Sequence, residues 1–157
     1  MRFADFAFAD EVAAFLAEHR TAGLATADAD GTPHAANVQY AFDPADFSLW
    51  WVSSPGSLHS RHLLARPACA VTVYAPVDDR TQIHGVQMHG RVDPPLQLTD
   101  AGWAEAFERY ADRFPFVRDD AKMRAAVESQ ALYRFAPTWL RWIDNRRGFG
   151  FKAEAEF

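Results

Sequence analysis

The chain has 157 residues, 49% of them hydrophobic and 14% aromatic, which is enough apolar material for the core of one compact domain over residues 1–157. Its 16 Lys and Arg residues against 21 Asp and Glu give a formal net charge of −5, which argues against sequence-independent binding to nucleic acid or to an anionic membrane. No apolar run approaches membrane-spanning length, and the N-terminus carries too many acids for a signal peptide, so we expect a cytoplasmic protein.

The hydrophobic periodicity predicts a mainly β protein with flanking helices. Alternating and β-branched runs predict strands, and apolar residues three and four positions apart predict helices. In chain order, the predicted elements are a helix over residues 10–20, strands over 24–27, 33–42 and 47–53, a short helix from residue 57 to about 66, strands over 68–74 and 82–93, a helix capped at residues 99–100, a short helix over 121–127, and a strand over 132–144 with a break at Pro137. An Asp-Gly pair between the first two strands is typical of a tight hairpin turn. This succession of strands predicts an antiparallel barrel.

Two of the predicted strands carry a polar face. In the strand over 33–42, alternation turns Asn37 and Gln39 away from the apolar side, where their amides can meet either a polar ligand edge or solvent. In the strand over 82–93, Gln87 lies on the polar face, and two glycines predict a bulge or the close approach of another backbone or of a flat ligand.

The stretch over residues 50–64 predicts a strand, a Pro-Gly turn and the beginning of a short helix. Ser57 is a suitable N-cap for this helix, so Ser60, Arg61 and His62 lie near unpaired N–H groups and the positive end of the helix dipole. Helix N–H groups, a hydroxyl and an Arg that can bind two oxygens suit a phosphate monoester. A solvated basic helix face is the alternative interpretation.

The sequence gives little support for a metal site, a reactive cysteine or a hydrolytic site. His59 and His62 are one helical turn apart but lack a third metal ligand at a defined spacing, so no metal site is predicted. Cys69 lies within an apolar run and is expected to be a small buried side chain. No Ser, His and Asp arrangement or paired carboxylates indicate hydrolysis, so no catalytic residue is identified and an organic cofactor is expected to supply any chemistry.

In sequence order, these features resemble the FMN-binding split barrels related to pyridoxamine 5′-phosphate oxidase, and the resemblance covers nearly the whole chain. The motifs that carry it are residues 36–43, Ser60-Arg61-His62, residues 85–90, Arg113-Phe114-Pro115, and Asp144-Asn145 with Gly148-Phe149-Gly150 and Lys152. The resemblance implies an antiparallel split β-barrel and a homodimer with FMN at the subunit interface. The 13 Phe, 5 Trp and 4 Tyr residues are compatible with an aromatic interface.

The resemblance also implies a set of cofactor-binding residues. Ser60 and Arg61 bind the FMN phosphate, and His62 stands where the family commonly carries Lys, which makes the charge there depend on pH. The positions expected to border the isoalloxazine ring, often through main-chain groups, are Asn37, Val38, Gln39, Tyr40, Val52, Ser53 and Ser54. Gln87, Phe149 and Lys152 complete the set. The aromatic residues Phe149 and Phe151 of the tail suggest an apolar lid over the ring.

The expected function is that of a flavin-dependent oxidoreductase with an unidentified small-molecule substrate. A non-catalytic flavin-binding or flavin-storage protein and a haem- or deazaflavin-binding relative remain alternatives, because one fold accepts several flat ligands. We expect that the chain is not pyridoxamine 5′-phosphate oxidase itself. The true oxidases resemble one another in a basic C-terminal strand with an Arg-Leu-x-Pro tail, whereas Glu154 and Glu156 of this chain would repel a dianionic substrate. Arg146 and Arg147 stay open as a replacement anion site.

Overall fold

Seven strands form one antiparallel sheet in the computed structural model, which describes residues 2–157. The strands are β1 (Thr21–Ala27), β2 (Pro33–Asp43), β3 (Ser48–Ser53), β4 (Ala68–Tyr74), β5 (His84–Val92), β6 (Ala131–Asp144) and β7 (Lys152–Glu156). The helices are α1 (Ala9–Glu18), α2 (Leu58–Ala65), α3 (Trp103–Arg113), α4 (Phe116–Asp119) and α5 (Ala121–Glu128). The strand order is β3-β2-β1-β4-β5-β6-β7, and a further pairing of β3 with β6 closes the barrel. The predicted split barrel with flanking helices is confirmed.

The long strand β6 explains how the barrel both closes and splits. Its first residues pair with β3, from Ala131 opposite Ser53 to Phe135 opposite Leu49. Further along the same edge, residues 139–143 pair with β7, while the other edge pairs with β5. Six strands therefore form the barrel, and β7 extends the sheet beyond it.

The hydrophobic core is built from every second residue of each strand. One face of each strand fills the barrel interior, where Tyr40, Trp51, Met88 and Leu140 are each at most 1% exposed. The apolar face of α1 packs against the same interior. A second apolar cluster joins α3, α4 and α5 to the other face of β2 and β6. Each large side chain buried in this way contributes about 1.5–3 kcal/mol.

Two local expectations were wrong. Residues 99–100 do not cap α3, because the N-cap is Gly102 with φ 88°, and the Asp100 carboxylate instead accepts a hydrogen bond from the Gln97 amide at 2.8 Å. Pro137 does not break β6. The strand continues through Pro137, and its pairing with β5 instead contains a β-bulge, with a register shift between His89 and Gly90.

The two glycines of β5 are required by close packing, as their position in a strand predicts. A Cβ at Gly85 would lie 2.6 Å from the Val73 carbonyl oxygen, and a Cβ at Gly90 would lie 2.2 Å from the Ala136 carbonyl oxygen. The bulge and the close approach of neighbouring backbone are therefore confirmed. Among residues 2–157, no helix is both long and apolar enough to cross a bilayer.

Candidate functional site

One edge of β2 is open along its first half. Residues 33–39 pair with β1, whereas β3 pairs only with residues 40–43. The Tyr40 amide donates to the Arg20 carbonyl at 2.9 Å, and alternation in an antiparallel ladder therefore turns the main-chain groups of residues 35, 37 and 39 toward the other side. In the described part of the chain no other strand pairs with this segment. We call this row of main-chain donors and acceptors the open edge.

Helix α2 lies beside the beginning of the open edge. The Nδ1 atom of His62 lies 3.0 Å from the Thr26 hydroxyl oxygen. Thr26 is paired in register with His34, whose ring is perpendicular to that of His62 at a centroid distance of 5.9 Å. The neighbouring Arg61 is exposed, and its guanidinium forms no hydrogen bond or ion pair with the residues that the structure describes. We call Thr26, His34 and His62, together with Arg61 beside His62 in the sequence, the α2 corner.

Hydroxyl groups tie the start of α2 to the end of β3. The Ser57 side chain caps the helix by accepting a hydrogen bond from the Ser60 amide at 3.3 Å, which confirms the predicted N-cap. His59 Nε2 lies 2.9 Å from the Ser53 hydroxyl and 3.2 Å from the Ser57 hydroxyl. Burial, together with the charges of the two other imidazoles nearby, lowers the pKa of His59. This imidazole is therefore neutral near pH 7.

Ser60 points to the opposite side of α2 from His62. Positions two apart on an α-helix differ by about 200° in direction, so their side chains cannot share one face. The Ser60 side chain is 2% exposed and lines a separate cleft of about 600 Å³ together with Tyr133. Burial raises the pKa of Tyr133, and a hydrogen bond with Ser60 partly offsets that effect.

The outer face of the sheet beside the open edge forms a shallow trough of about 520 Å³. Its floor consists of small side chains that lie side by side on neighbouring strands. The strand register places Ala35, Ala25 and Ala70 in one row, and Gly23 lies opposite Asn37 in the next. These small residues leave room for a flat molecule against the sheet.

Larger side chains from β5 and β6 form the far wall of the trough. The rings of His89 and Trp139 stack with a centroid distance of 4.6 Å, and the Arg141 guanidinium lies 5.1 Å from the Trp139 ring centroid. Arg141 also forms an ion pair with Glu154 of β7 at 2.8 Å. The positive charge at this end of the trough is therefore already paired within the chain.

The structure brings most of the predicted cofactor-binding residues into one region. Asn37 and Gln39 lie on the open edge, Ser53 lies at the end of β3, and Arg61 and His62 lie in the α2 corner. The side chains of Val38 and Tyr40 face the barrel interior, and their main-chain groups turn toward β1, so neither residue presents a free group at the open edge. Val52 packs against the cluster beneath α3, and Ser54 accepts a hydrogen bond from the Gly56 amide at 3.2 Å.

The remaining predicted residues lie away from the open edge and the α2 corner. Gln87 lines the far wall of the trough. Phe149 is 84% exposed in the loop before β7, and Lys152 is exposed in β7, so neither lines the trough or the α2 corner of its own chain. Arg146 and Arg147 both form ion pairs with the buried Asp144 carboxylate.

Sequence reasoning missed Thr26 and His34. Their antiparallel pairing follows from the predicted hairpin, but the approach of α2 to that pair is a tertiary contact without a local sequence signal. Burial raises the pKa of Cys69 to about 12, which keeps its thiol protonated. Within residues 2–157, no three side chains of the metal-binding types His, Cys, Asp and Glu cluster around a common point.

Several solved structures share this fold. A haem-binding protein from Mycobacterium smegmatis is 19% identical with a TM-score of 0.74, and the match covers 94% of this chain and 57% of that one. A conserved hypothetical protein from Mycobacterium tuberculosis is 21% identical with a TM-score of 0.73, covering 94% and 91%. An FAD-binding protein from Mesorhizobium loti is 22% identical with a TM-score of 0.66, covering 83% and 89%. At these identities the likeness establishes the fold.

Sequence comparison identifies the family. No curated protein matches this chain significantly. The family model described as pyridoxamine 5′-phosphate oxidase matches residues 8–142, so the chain belongs to the pyridoxamine 5′-phosphate oxidase family.

Proposed function

We propose that the protein binds FMN, with the phosphate in the α2 corner and the isoalloxazine ring beside the open edge and the trough. The observation that carries the proposal is that the open edge, with its unpaired main-chain groups, lies beside the cationic and hydroxyl side chains of the α2 corner. The segment from His34 to Gln39 spans about 17 Å at the usual rise of a strand. This length separates a phosphate site at one end from a ring site at the other.

The donor set suits each part of this ligand. Arg61 has no partner among the described residues, so its guanidinium is available to two phosphate oxygens. The main-chain N–H and C=O groups at residues 37 and 39 alternate along the open edge and match a ring that carries both donors and acceptors. When bound, FMN supplies hydride or electron transfer, and the protein's residues bind and orient it and exclude water from one of its faces.

A second copy of the chain is the proposed partner. One chain contacts a flat ligand from the trough side alone, and the small apolar floor beside it stays exposed at Ala25 and Ala35. Packing a second copy over the trough would cover both the floor and the ligand, so we propose a homodimer with FMN at its interface. Light scattering measures this directly, and a monomer that binds FMN stoichiometrically at micromolar concentration would contradict it.

We further propose a flavin-dependent oxidoreductase that is not pyridoxamine 5′-phosphate oxidase. A phosphorylated pyridine needs a second anion site, and Arg141, the cation that lines the trough, is paired with Glu154. Arg146 and Arg147 are paired with Asp144. Incubation with pyridoxamine 5′-phosphate and oxygen is expected to yield no peroxide at enzymatic rates, for which about 10 per second is typical.

Haem is the second candidate ligand, because the exposed His89 imidazole lies in the trough and can ligate iron. One of the structurally similar proteins binds haem and another binds FAD. The absorption spectrum of the purified protein separates the candidates, and we expect flavin bands with no Soret band. Reduction of the bound flavin by an electron donor, followed through turnover, distinguishes an enzyme from a flavin-storage protein.

The decisive test of the phosphate assignment compares FMN with riboflavin. We expect FMN to bind at least ten times more tightly in a fluorescence titration, because charge-assisted hydrogen bonds contribute about 1.5–3 kcal/mol each. Equal affinities for the two flavins would contradict the placement of the phosphate in the α2 corner.

A further inference from the structure

We propose that His34 and His62 form a proton-linked phosphate site, in which binding of a phosphate dianion is accompanied by proton uptake at this imidazole pair. The inference rests on the proposed FMN function and specifies how that site recognises the charge of its ligand. It also assigns a binding role to the side chain of His34, near the start of the segment that forms the open edge.

The geometry leaves the imidazole pair available to an anion. His62 contacts the hydroxyl of the buried Thr26 through Nδ1, and its Nε2 has no hydrogen-bond partner among the described residues. The same holds for both ring nitrogens of His34, which stands perpendicular to His62 at a centroid distance of 5.9 Å. Thr26 can accept a hydrogen bond from the Nδ1–H of either the neutral or the charged His62. Protonation therefore needs no rearrangement of the corner.

The surrounding charges couple protonation to anion binding. Helix α2 and its C-cap contribute Arg61 and Arg66 as charged groups, with His59 neutral, and the turn between β1 and β2 contributes Asp28 and Asp30. The Arg66 guanidinium donates to a carbonyl of that turn at 2.7 Å, and the Asp28 carboxylate accepts two main-chain hydrogen bonds there. The two guanidinium groups and the two carboxylates balance in formal charge. A phosphate dianion bound beside the imidazole pair adds negative charge, which favours the charged form of both rings.

The size of the effect follows from proton linkage. The phosphate of FMN is mostly a dianion above about pH 6.5, so its own charge changes little between pH 6.5 and 8.5, a range in which proton uptake by an imidazole can be detected. Each proton taken up changes the affinity by up to tenfold per pH unit. We therefore expect FMN affinity to fall at least about tenfold from pH 6.5 to 8.5.

The experiment titrates FMN and riboflavin at pH 6.5, 7.5 and 8.5 into the wild type and three variants. The ratio of the two affinities isolates the phosphate from any titration of the ring. We expect His62→Lys and His34→Gln each to reduce the pH dependence of the ratio, because each variant retains only one of the two imidazoles. His19→Gln, which removes an imidazole from the end of α1, is expected to behave as the wild type. Circular dichroism verifies that each variant is folded.

The inference is overturned if FMN is preferred over riboflavin with a ratio that is constant over this pH range, a result that would leave the proposed function intact. If neither flavin binds, the proposed function fails, and the site itself is then tested with inorganic phosphate. In that case the inference predicts that phosphate raises the pKa values of His34 and His62, measured from their imidazole proton resonances. Unchanged values on adding phosphate would overturn it.

Discussion

Replacing Arg61 with Ala tests the α2 corner most directly. The Arg61 side chain is exposed and makes no hydrogen bond or ion pair with the described residues, so its removal is expected to change the free energy of unfolding by less than about 0.5 kcal/mol. Any loss of ligand affinity then reports on the site and not on the fold.

The expected loss follows from the chemistry of the pair. An Arg–phosphate contact is charge-assisted and able to use two parallel hydrogen bonds, and one charge-assisted hydrogen bond contributes about 1.5–3 kcal/mol. Since about 1.4 kcal/mol corresponds to a factor of ten, Arg61→Ala is expected to weaken FMN by one to two orders of magnitude. Riboflavin lacks the phosphate and is expected to bind as it does to the wild type.

The assay is a fluorescence titration of both flavins at pH 7.5 and about 0.15 M salt, where charges more than about 8 Å apart are largely screened. Arg66→Ala is the matched control, because it removes the same charge from the C-cap of the same helix, where the guanidinium is bound to the Ala29 carbonyl. We expect this control to lower FMN affinity less than threefold. Equal losses in the two variants, or an equal loss for both flavins in Arg61→Ala, would refute a direct contact with the phosphate.

Three further predictions concern the trough and the frame that holds it. Ala70→Phe fills the floor of the trough, so titration should show that FMN and riboflavin weaken together. Gly90→Ala places a Cβ 2.2 Å from a β6 carbonyl oxygen, so urea unfolding should show a loss of about 2–3 kcal/mol, whereas Gly56→Ala, with its nearest contact at 3.7 Å, should be nearly neutral. Burial alone would raise the pKa of Asp144, but hydrogen bonds from Arg146 hold it below the usual value. The stabilisation lost in Asp144→Asn should therefore be present above about pH 4 and disappear as the pH falls through the lowered pKa in urea unfolding.

Much of the local structure was predictable because short-range rules decide it. The Asp-Gly hairpin between β1 and β2, the Ser57 cap of α2 and the limits of β4 depend on neighbouring residues, and all three are confirmed. The start of α3 was not predictable from the same rules. Asp100 is a good N-cap residue, but it accepts a hydrogen bond from Gln97 in the preceding turn, and the helix begins three residues later.

The candidate site was predictable only in part, because its parts depend on tertiary contacts of different kinds. The residue order Ser60-Arg61-His62 indicates a phosphate site by resemblance, but helical geometry sends Ser60 and His62 to opposite sides of α2. His34 joins the site only because α2 packs onto the end of the hairpin. The trough depends on strand register, which aligns Ala25, Ala35 and Ala70 although they lie far apart in sequence.

The open edge of β2 raises a physical problem that the proposed ligand resolves. An unpaired strand edge invites pairing with another chain, and proteins usually keep such edges short or cover them. Here the edge is limited to residues 33–39, begins with a proline that has no N–H to donate, and ends where β3 begins to pair. Helix α2 stands beside its first residues and leaves the main-chain groups at 37 and 39 accessible. The edge therefore offers main-chain N–H groups only at residues 35, 37 and 39, a short row that matches the polar rim of the flat ring proposed here.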